Sequence, residues 1–254
     1  MNQQEIHDYK KTSKDRNAIV VKSNDMIENI RFDLSVTEQK ILLFAISQLK
    51  RDMVHFPDLQ ISISDFLKVT GASASGQAYS LVKQSIKNLR DKSWWINDGE
   101  KSTLFSWVDY AEIKEHSGEI KIHFSSSLEP YLLEQRENFT QYALIDILNL
   151  NSKYSIKFFE ICRMNLFRHS FTLSLYQFKK LLNINGDKYK DFYELRRNVL
   201  NVAIKEINEL TSLNVEVTPI KTGKRITELY FEVNEKNDYA EIGALYERRK
   251  KLLK

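Results

Sequence analysis

From residue 34 to 49, LSVTEQKILLFAISQL, the apolar residues Ile41, Leu42, Ala45, Ile46 and Leu49 return every three or four positions and share one face of a predicted helix. Ser35 or Thr37, ahead of Glu38, is placed to cap its start. Upstream, Ile19, Val20 and Val21 make a short extended piece. The pattern then switches to alternation over LQISIS (59–64), which predicts a strand. A short helix opened by Ser64 or Asp65 follows, then a turn at Gly71 and a longer helix from about Ser75. Two further alternating runs, STLFSWVDYAEIKE (102–115) and GEIKIHF (118–124), predict strands paired around His116, Ser117 and Gly118.

The same order returns after residue 140. LNSKYSIKFFEICRMNLF (150–167) reads as a helix, FTLSL (171–175) as a strand and YQFKKLLNI (176–184) as a short helix. A turn at Asn185 and Gly186 leads into KDFYELRRNVLNVAIKEINEL (190–210), whose residues Phe192, Leu195, Val199, Ala203, Ile207 and Leu210 form an inward stripe. A hairpin closes the series, NVEVTPI (214–220) and RITELYFEV (225–233) around Thr222 and Gly223. Helix, strand, helix, turn, helix and strand pair is the order of a winged helix-turn-helix. Local echoes keep the register: ISDFLKV (63–69) matches LYQFKKL (175–181), and SIKNL (85–89) matches AIKEI (203–207). The expected fold class is therefore α+β, two tandem winged helix-turn-helix domains related by internal duplication. The expected divisions are a flexible segment 1–17, an N-terminal domain 18–135, a C-terminal domain 136–235 and a basic tail 236–254 containing ERRKKLLK (247–254).

Composition narrows the chemistry. At 254 residues, with 42% hydrophobic and 28% charged residues but only 7 Gly and 3 Pro, the chain suits helix-rich globular domains. The N-terminus has no apolar core of a signal peptide and no run is long enough to span a bilayer, so a cytoplasmic protein without a membrane partner is expected. The single cysteine, Cys162, excludes an internal disulfide and reads as a buried small apolar residue. His7, His55, His116, His123 and His169 are scattered without metal-ligand spacing, so no metal is expected, and no relaxase-type His pair is present. GASASG (71–76) lacks the Gly-Lys-Ser/Thr ending of a phosphate loop, so no nucleotide cofactor and no enzymatic activity are expected.

Charge then separates the two halves. Lys179 to Arg225 holds ten Lys or Arg against six Asp or Glu, whereas Asp98 to Glu119 holds two Lys against six acids. An acidic wing is repelled by phosphate, while Lys221, Lys224 and Arg225 at the second hairpin tip can sit on a nucleic-acid backbone. In a winged helix the first turns of the third helix enter the major groove of duplex DNA. In the second unit those turns are expected to carry Lys188, Tyr189, Lys190, Tyr193, Arg196 and Arg197, with Asn201 further along the polar face. Arg pairs with guanine O6 and N7, Asn with adenine, and Tyr or Lys holds phosphates. Glu206 and Glu209 at the far end are expected to face solvent, and Asp191 and Glu194 need donors or a cation nearby. The first unit offers Ser75, Gln77 and Lys83, alongside Ser73, Tyr79 and Lys87, as smaller candidates for DNA contact.

Several phrases resemble the iteron-binding replication initiators of theta-type plasmids, the Rep initiator family: LSVTEQKILLFAISQL (34–49), SLVKQSIKNLRDKSWWI (80–96), LNSKYSIKFFEICR (150–163) and LRRNVLNVAIKEINELTSLNVEV (195–217). The resemblance covers about residues 18–235. It implies binding of repeated double-stranded origin sites, with the C-terminal domain reading bases and the N-terminal domain contributing backbone contacts or a homodimer interface. It also implies recruitment of the host replication initiator and helicase, and repression of the protein's own gene by the dimer at an operator. A winged-helix transcriptional regulator without a replication role would use the same residues.

Overall fold

The computed structural model describes residues 18–30, 33–50, 53–97, 100–114, 117–133, 137–186 and 188–237. The segments 1–17 and 238–254, which include His7 and the basic tail, lie outside the described residues, as does His116. The chain divides into two compact units. One comprises the described residues up to Met26 with Leu34–Leu148, and the other Ile27–Asp33 with the described residues from Asn149 onward.

The first unit opens with β1 (Ile19–Ser23), whose register partner is a later strand; a short helix α1 (Asn24–Asn29) follows, its residues from Ile27 belonging to the second unit. α2 (Val36–Ile46) begins at Ser35, whose hydroxyl accepts the Glu38 N–H while the Glu38 carboxylate accepts the Ser35 N–H at 2.7 Å, a capping box. β2 (Leu59–Ser62) runs directly into α3 (Ile63–Thr70), and the third helix α4 (Gly76–Asp91) starts at the N-cap Ser75. The cap of α3 is Ser62 rather than Ser64 or Asp65: the Ser62 hydroxyl accepts the Asp65 N–H at 3.2 Å. Gly71 ends α3 at φ 74°, a left-handed position that a residue with a Cβ adopts only at a cost.

After α4 the chain forms a hairpin that alternation alone did not separate, β3 (Ser93–Asn97) with β4 (Ser102–Ser106). Its inner side chains Trp94 and Phe105 stack beside Trp107. β5 (Val108–Lys114) and β6 (Glu119–Phe124) then make the wing, so the run expected as one strand over 102–115 is two strands broken at Trp107. β2, β6 and β5 form an antiparallel sheet in that order. α5 (Glu129–Leu132) precedes β7 (Phe139–Ala143), which pairs with β1, and α6 (Ile145–Leu148) ends the unit.

Glu38 ties α2 to the end of α4. It is 2% exposed, and besides the Ser35 N–H it accepts Lys92 Nζ at 2.6 Å and Asn88 Nδ2 at 2.8 Å. Burial alone pushes its carboxyl up, but the Lys92 ammonium, the Ser35 N–H and the Asn88 amide together draw it below the ordinary glutamate value. The folded state therefore holds this proton less tightly than the unfolded chain, so the stabilisation is complete above the ordinary carboxylate range and is lost as pH falls through the folded value. Glu38→Gln is expected to lower urea stability at pH 7 and to reduce the further loss between pH 5 and pH 3. An acid loss of the same size in both proteins would remove Glu38 as a source of it.

The second unit repeats the layout. α7 (Lys153–Asn165) starts at the N-cap Ser152, β8 (Ser170–Ser174) follows, and α8 (Leu175–Leu181) carries a capping box between Ser174 and Gln177. The third helix has three consecutive parts: α9 (Phe192–Leu195), a π turn (Arg196–Leu200) and α10 (Asn201–Leu210). β9 (Leu213–Thr222) and β10 (Arg225–Glu235) form the wing, and the sheet order β8, β10, β9 is that of β2, β6, β5. The echoed residues occupy equivalent places, with Phe66 and Phe178 both buried in the second helix of their unit. Phe158, Phe178 and Phe231 centre the core at 0% exposure, and buried Cys162, whose thiol burial pushes well up, is part of it.

Candidate nucleic-acid interface

The turn that leads into the third helix of the second unit is held by three left-handed positions, Asn183 at φ 52°, Gly186 at φ 63° and Tyr189 at φ 53°. Tyrosine rarely adopts this region, so its neighbours must over-determine it. Lys179 Nζ donates to the Tyr189 carbonyl at 2.6 Å, and the Tyr189 ring meets Tyr154 edge-on at 6.2 Å. Burial, then the proximity of Tyr189, pushes the Tyr154 phenol up to about 12. Tyr189 is thus a brace of the turn. Lys188 and Lys190 are exposed on either side of it.

The helix itself starts at Phe192, so Lys188, Tyr189 and Lys190 precede its first turn rather than lie in it. Asp191 is its N-cap and accepts the Glu194 N–H at 2.8 Å, which answers what its carboxylate pairs with. Tyr193 is 83% exposed, and Arg196, Arg197, Asn198 and Asn201 are exposed beyond it. The opposite side buries Leu195, Val199, Ala203 and Ile207, as the stripe predicts. Phe192 and Leu210 at its ends are only half-buried, and Leu200, absent from the predicted stripe, is completely buried.

The C-terminal half of this helix is anchored. Glu206 does not face solvent: its carboxylate accepts the N–H groups of Asn151 and Ser152 at 3.1 to 3.2 Å, where α7 begins. Asn208 exchanges two hydrogen bonds with the backbone of Val215 in β9. Lys236 Nζ donates to the carbonyls of Asn208 and Thr211 at the helix end, where a cation meets the negative pole of the helix. Glu209 stays exposed.

At the wing tip, Thr222 pairs with Arg225 across the two-residue loop Gly223 and Lys224, with Gly223 at φ 62° in the position where a II′ turn uses glycine. Lys221, Lys224 and Arg225 are all exposed. One unit therefore presents a tyrosine, two arginines and two asparagines exposed along its third helix and three cations on its hairpin tip. Guanidinium and amide groups of this kind can pair with base edges, and the wing cations with phosphates.

The first unit is different. The Ser75 hydroxyl accepts the Ala78 N–H at 3.2 Å and serves as a cap, Gln77 is exposed and Lys83 is half-buried. A Cβ at Gly118, φ 68°, would come within 3.0 Å of the Tyr79 ring, so the wing lies close against the third helix here. The wing carries a polar network centred on Asp58, which accepts the Tyr110 hydroxyl at 2.7 Å and pairs with Lys121 at 3.2 Å and His123 at 3.0 Å. Tyr110 first, then Lys121, holds the Asp58 carboxyl below its ordinary range. Glu112 and Asp58 hold the Lys121 charge within the wing.

Among the described residues no group of His, Cys, Asp and Glu is placed to hold a metal ion, and no helix is long and apolar enough to cross a membrane. Two helix-turn-helix units of the same sheet order, each closed by a wing, define a tandem winged-helix protein. Residues 19–163 match the family described as Initiator Replication protein, WH1, a span that runs past Leu148 to include most of α7, and residues 174–233 match Initiator Rep protein, WH2. The chain belongs to this replication-initiator family. The PI protein of Escherichia coli is 29% identical over 147 residues, 51% of this chain and 47% of that protein, so the match spans about half the relative's length. The solved Pi initiator protein in complex with iteron DNA is similar with a TM-score of 0.70 and 21% identity, covering 88% of this chain and 99% of that one. Domains 2 and 3 of RctB give a TM-score of 0.51 at 14% identity, covering 80% and 81%. At these identities the likeness to the solved structures concerns the fold.

Proposed function

We propose that this protein is a sequence-specific, non-enzymatic initiator of plasmid replication that acts in the cytoplasm on repeated origin sites. The observation that carries the reading is the exposed face Tyr193, Arg196, Arg197 and Asn201 on the third helix of the second unit, beside a wing tipped by Lys221, Lys224 and Arg225. The family membership and the Pi initiator's complex with iteron DNA support it. Lys188 and Lys190 add positive charge ahead of the helix, while Tyr189 serves as the brace behind them. The first unit contributes backbone contacts through Gln77 and Lys83 near the Ser75 cap. Its acidic wing suits a protein contact, and in the homodimer this unit forms the interface through which the protein represses its own gene. The host initiator and helicase are the remaining partners of the reading.

The test is titration of duplexes carrying direct repeats from the neighbourhood of the gene, against random duplex, over a range of salt. Affinity is expected to fall steeply with salt because each phosphate contact releases counterions. Lys224→Ala is expected to weaken binding evenly on all sequences and to reduce the salt slope by about 1. A slope that does not change would remove the wing contact, and a protein that shifts no duplex at low salt would remove the reading. Replication of a plasmid carrying only this gene and its repeats separates an initiator from a transcriptional regulator.

A further inference from the structure

The third helix of the second unit contains one residue more than its core requires. Its fully packed positions are Leu195, Val199, Leu200, Ala203 and Ile207, each at most 1% exposed. In an uninterrupted α-helix Leu195 and Leu200 would lie about 140° apart, since each residue turns about 100°, at the two edges of a wide packed face. The π turn narrows that face: the Asn201 N–H donates to the Arg196 carbonyl, five residues back, and the additional residue is taken up within a single turn. With one residue removed between Leu195 and Val199, the packed positions read i, i+3, i+4, i+7 and i+11, the ordinary stripe of an amphipathic helix. The surplus residue is one of Arg196, Arg197 and Asn198, and all three are exposed.

Packing therefore does not call for the extra residue, and the outer face is where it appears. The C-terminal half of the helix is fixed by Glu206, Asn208 and Lys236, so the insertion leaves that half in place and crowds three adjacent side chains onto the turn that follows Tyr193. We infer that the π turn is a recognition device that adds Asn198 to the base-reading face, with the N6 and N7 edge of an adenine as the chemistry its amide fits. Arg196 and Arg197 flank it with donors for guanine or phosphate. This inference rests on the duplex-binding reading given above.

The experiment compares the full chain, a variant lacking Asn198 and Asn198→Ala, each by circular dichroism, thermal melting and selection of bound duplexes from a pool randomised over the repeat. The deletion variant is expected to fold, because its core pattern becomes regular, and to lose at least about ten-fold of its preference for the repeat over random duplex. Asn198→Ala is expected to keep its melting temperature and to relax selection at one position, an A·T pair. Unchanged preference in a folded deletion variant overturns the inference, as does unchanged selection by Asn198→Ala. A deletion variant that does not fold overturns it too, since packing would then demand the π turn. An unmodified chain that selects no sequence overturns the duplex-binding reading instead.

Discussion

Phe231→Ala is expected to lower the stability of the second unit by about 3–5 kcal/mol, read from the urea transition by far-ultraviolet circular dichroism. Phe231 sits on β10 at 0% exposure with Phe171, Phe158 and Phe178 at ring-centroid distances of 5.0, 5.2 and 5.8 Å. These rings come from β8, α7, α8 and β10, so the substitution opens a cavity where four elements meet and no neighbour can close it without leaving its own element. Natural domains are stable by about 5–15 kcal/mol in total, and the loss is a large part of that. Tryptophan fluorescence is the wrong probe, because Trp94, Trp95 and Trp107 all belong to the first unit. A loss under about 1 kcal/mol would place the centre of the core elsewhere.

What the sequence made legible was local. The Ser35 capping box, the Gly71 turn and the Ser75 start all depend on residues within a few positions of one another, and they stand where the pattern predicts them. Ser62 was missed because it is both the last residue of a strand and the cap of a helix, and alternation over 59–64 hides that double use. The β3 and β4 hairpin had a signal, the Asn-Asp-Gly run at 97–99, but the adjoining helix pattern and the following strand absorbed it. The remaining differences are long-range. Glu206 reads as a surface glutamate until the backbone of Asn151 and Ser152, 54 to 55 residues away in sequence, is brought to it. Leu200 lies off the predicted stripe, and it is buried at the end of a π turn that regular helical spacing does not anticipate. The candidate site divides the same way. The exposure of Tyr193, Arg196, Arg197 and Asn201 follows from periodicity, whereas the bracing of the turn at Tyr189 depends on its left-handed backbone and the Lys179 hydrogen bond.

Arg197→Ala is expected to cost about 1–3 kcal/mol, or roughly 5- to 150-fold in affinity, on the repeated site and far less on random duplex. Arg197 is exposed in the second turn of the third helix, beyond the Asp191 cap, and its neighbours Leu195 and Val199 hold the turn against the core. Its guanidinium is free of the core's packing demands, so truncation leaves the fold intact and the melting temperature near that of the unmodified chain. The fork geometry of arginine matches guanine O6 and N7 with two parallel donors, which a lysine cannot reproduce, so Arg197→Lys is expected to recover phosphate attraction but not site preference. Lys224, proposed above as a phosphate contact, provides the contrast, since such a contact carries no sequence information and its loss is expected to be even across duplexes. Equal losses for Arg197→Ala on the repeat and on random duplex would assign this arginine to the backbone and leave base reading to its neighbours on the same turn.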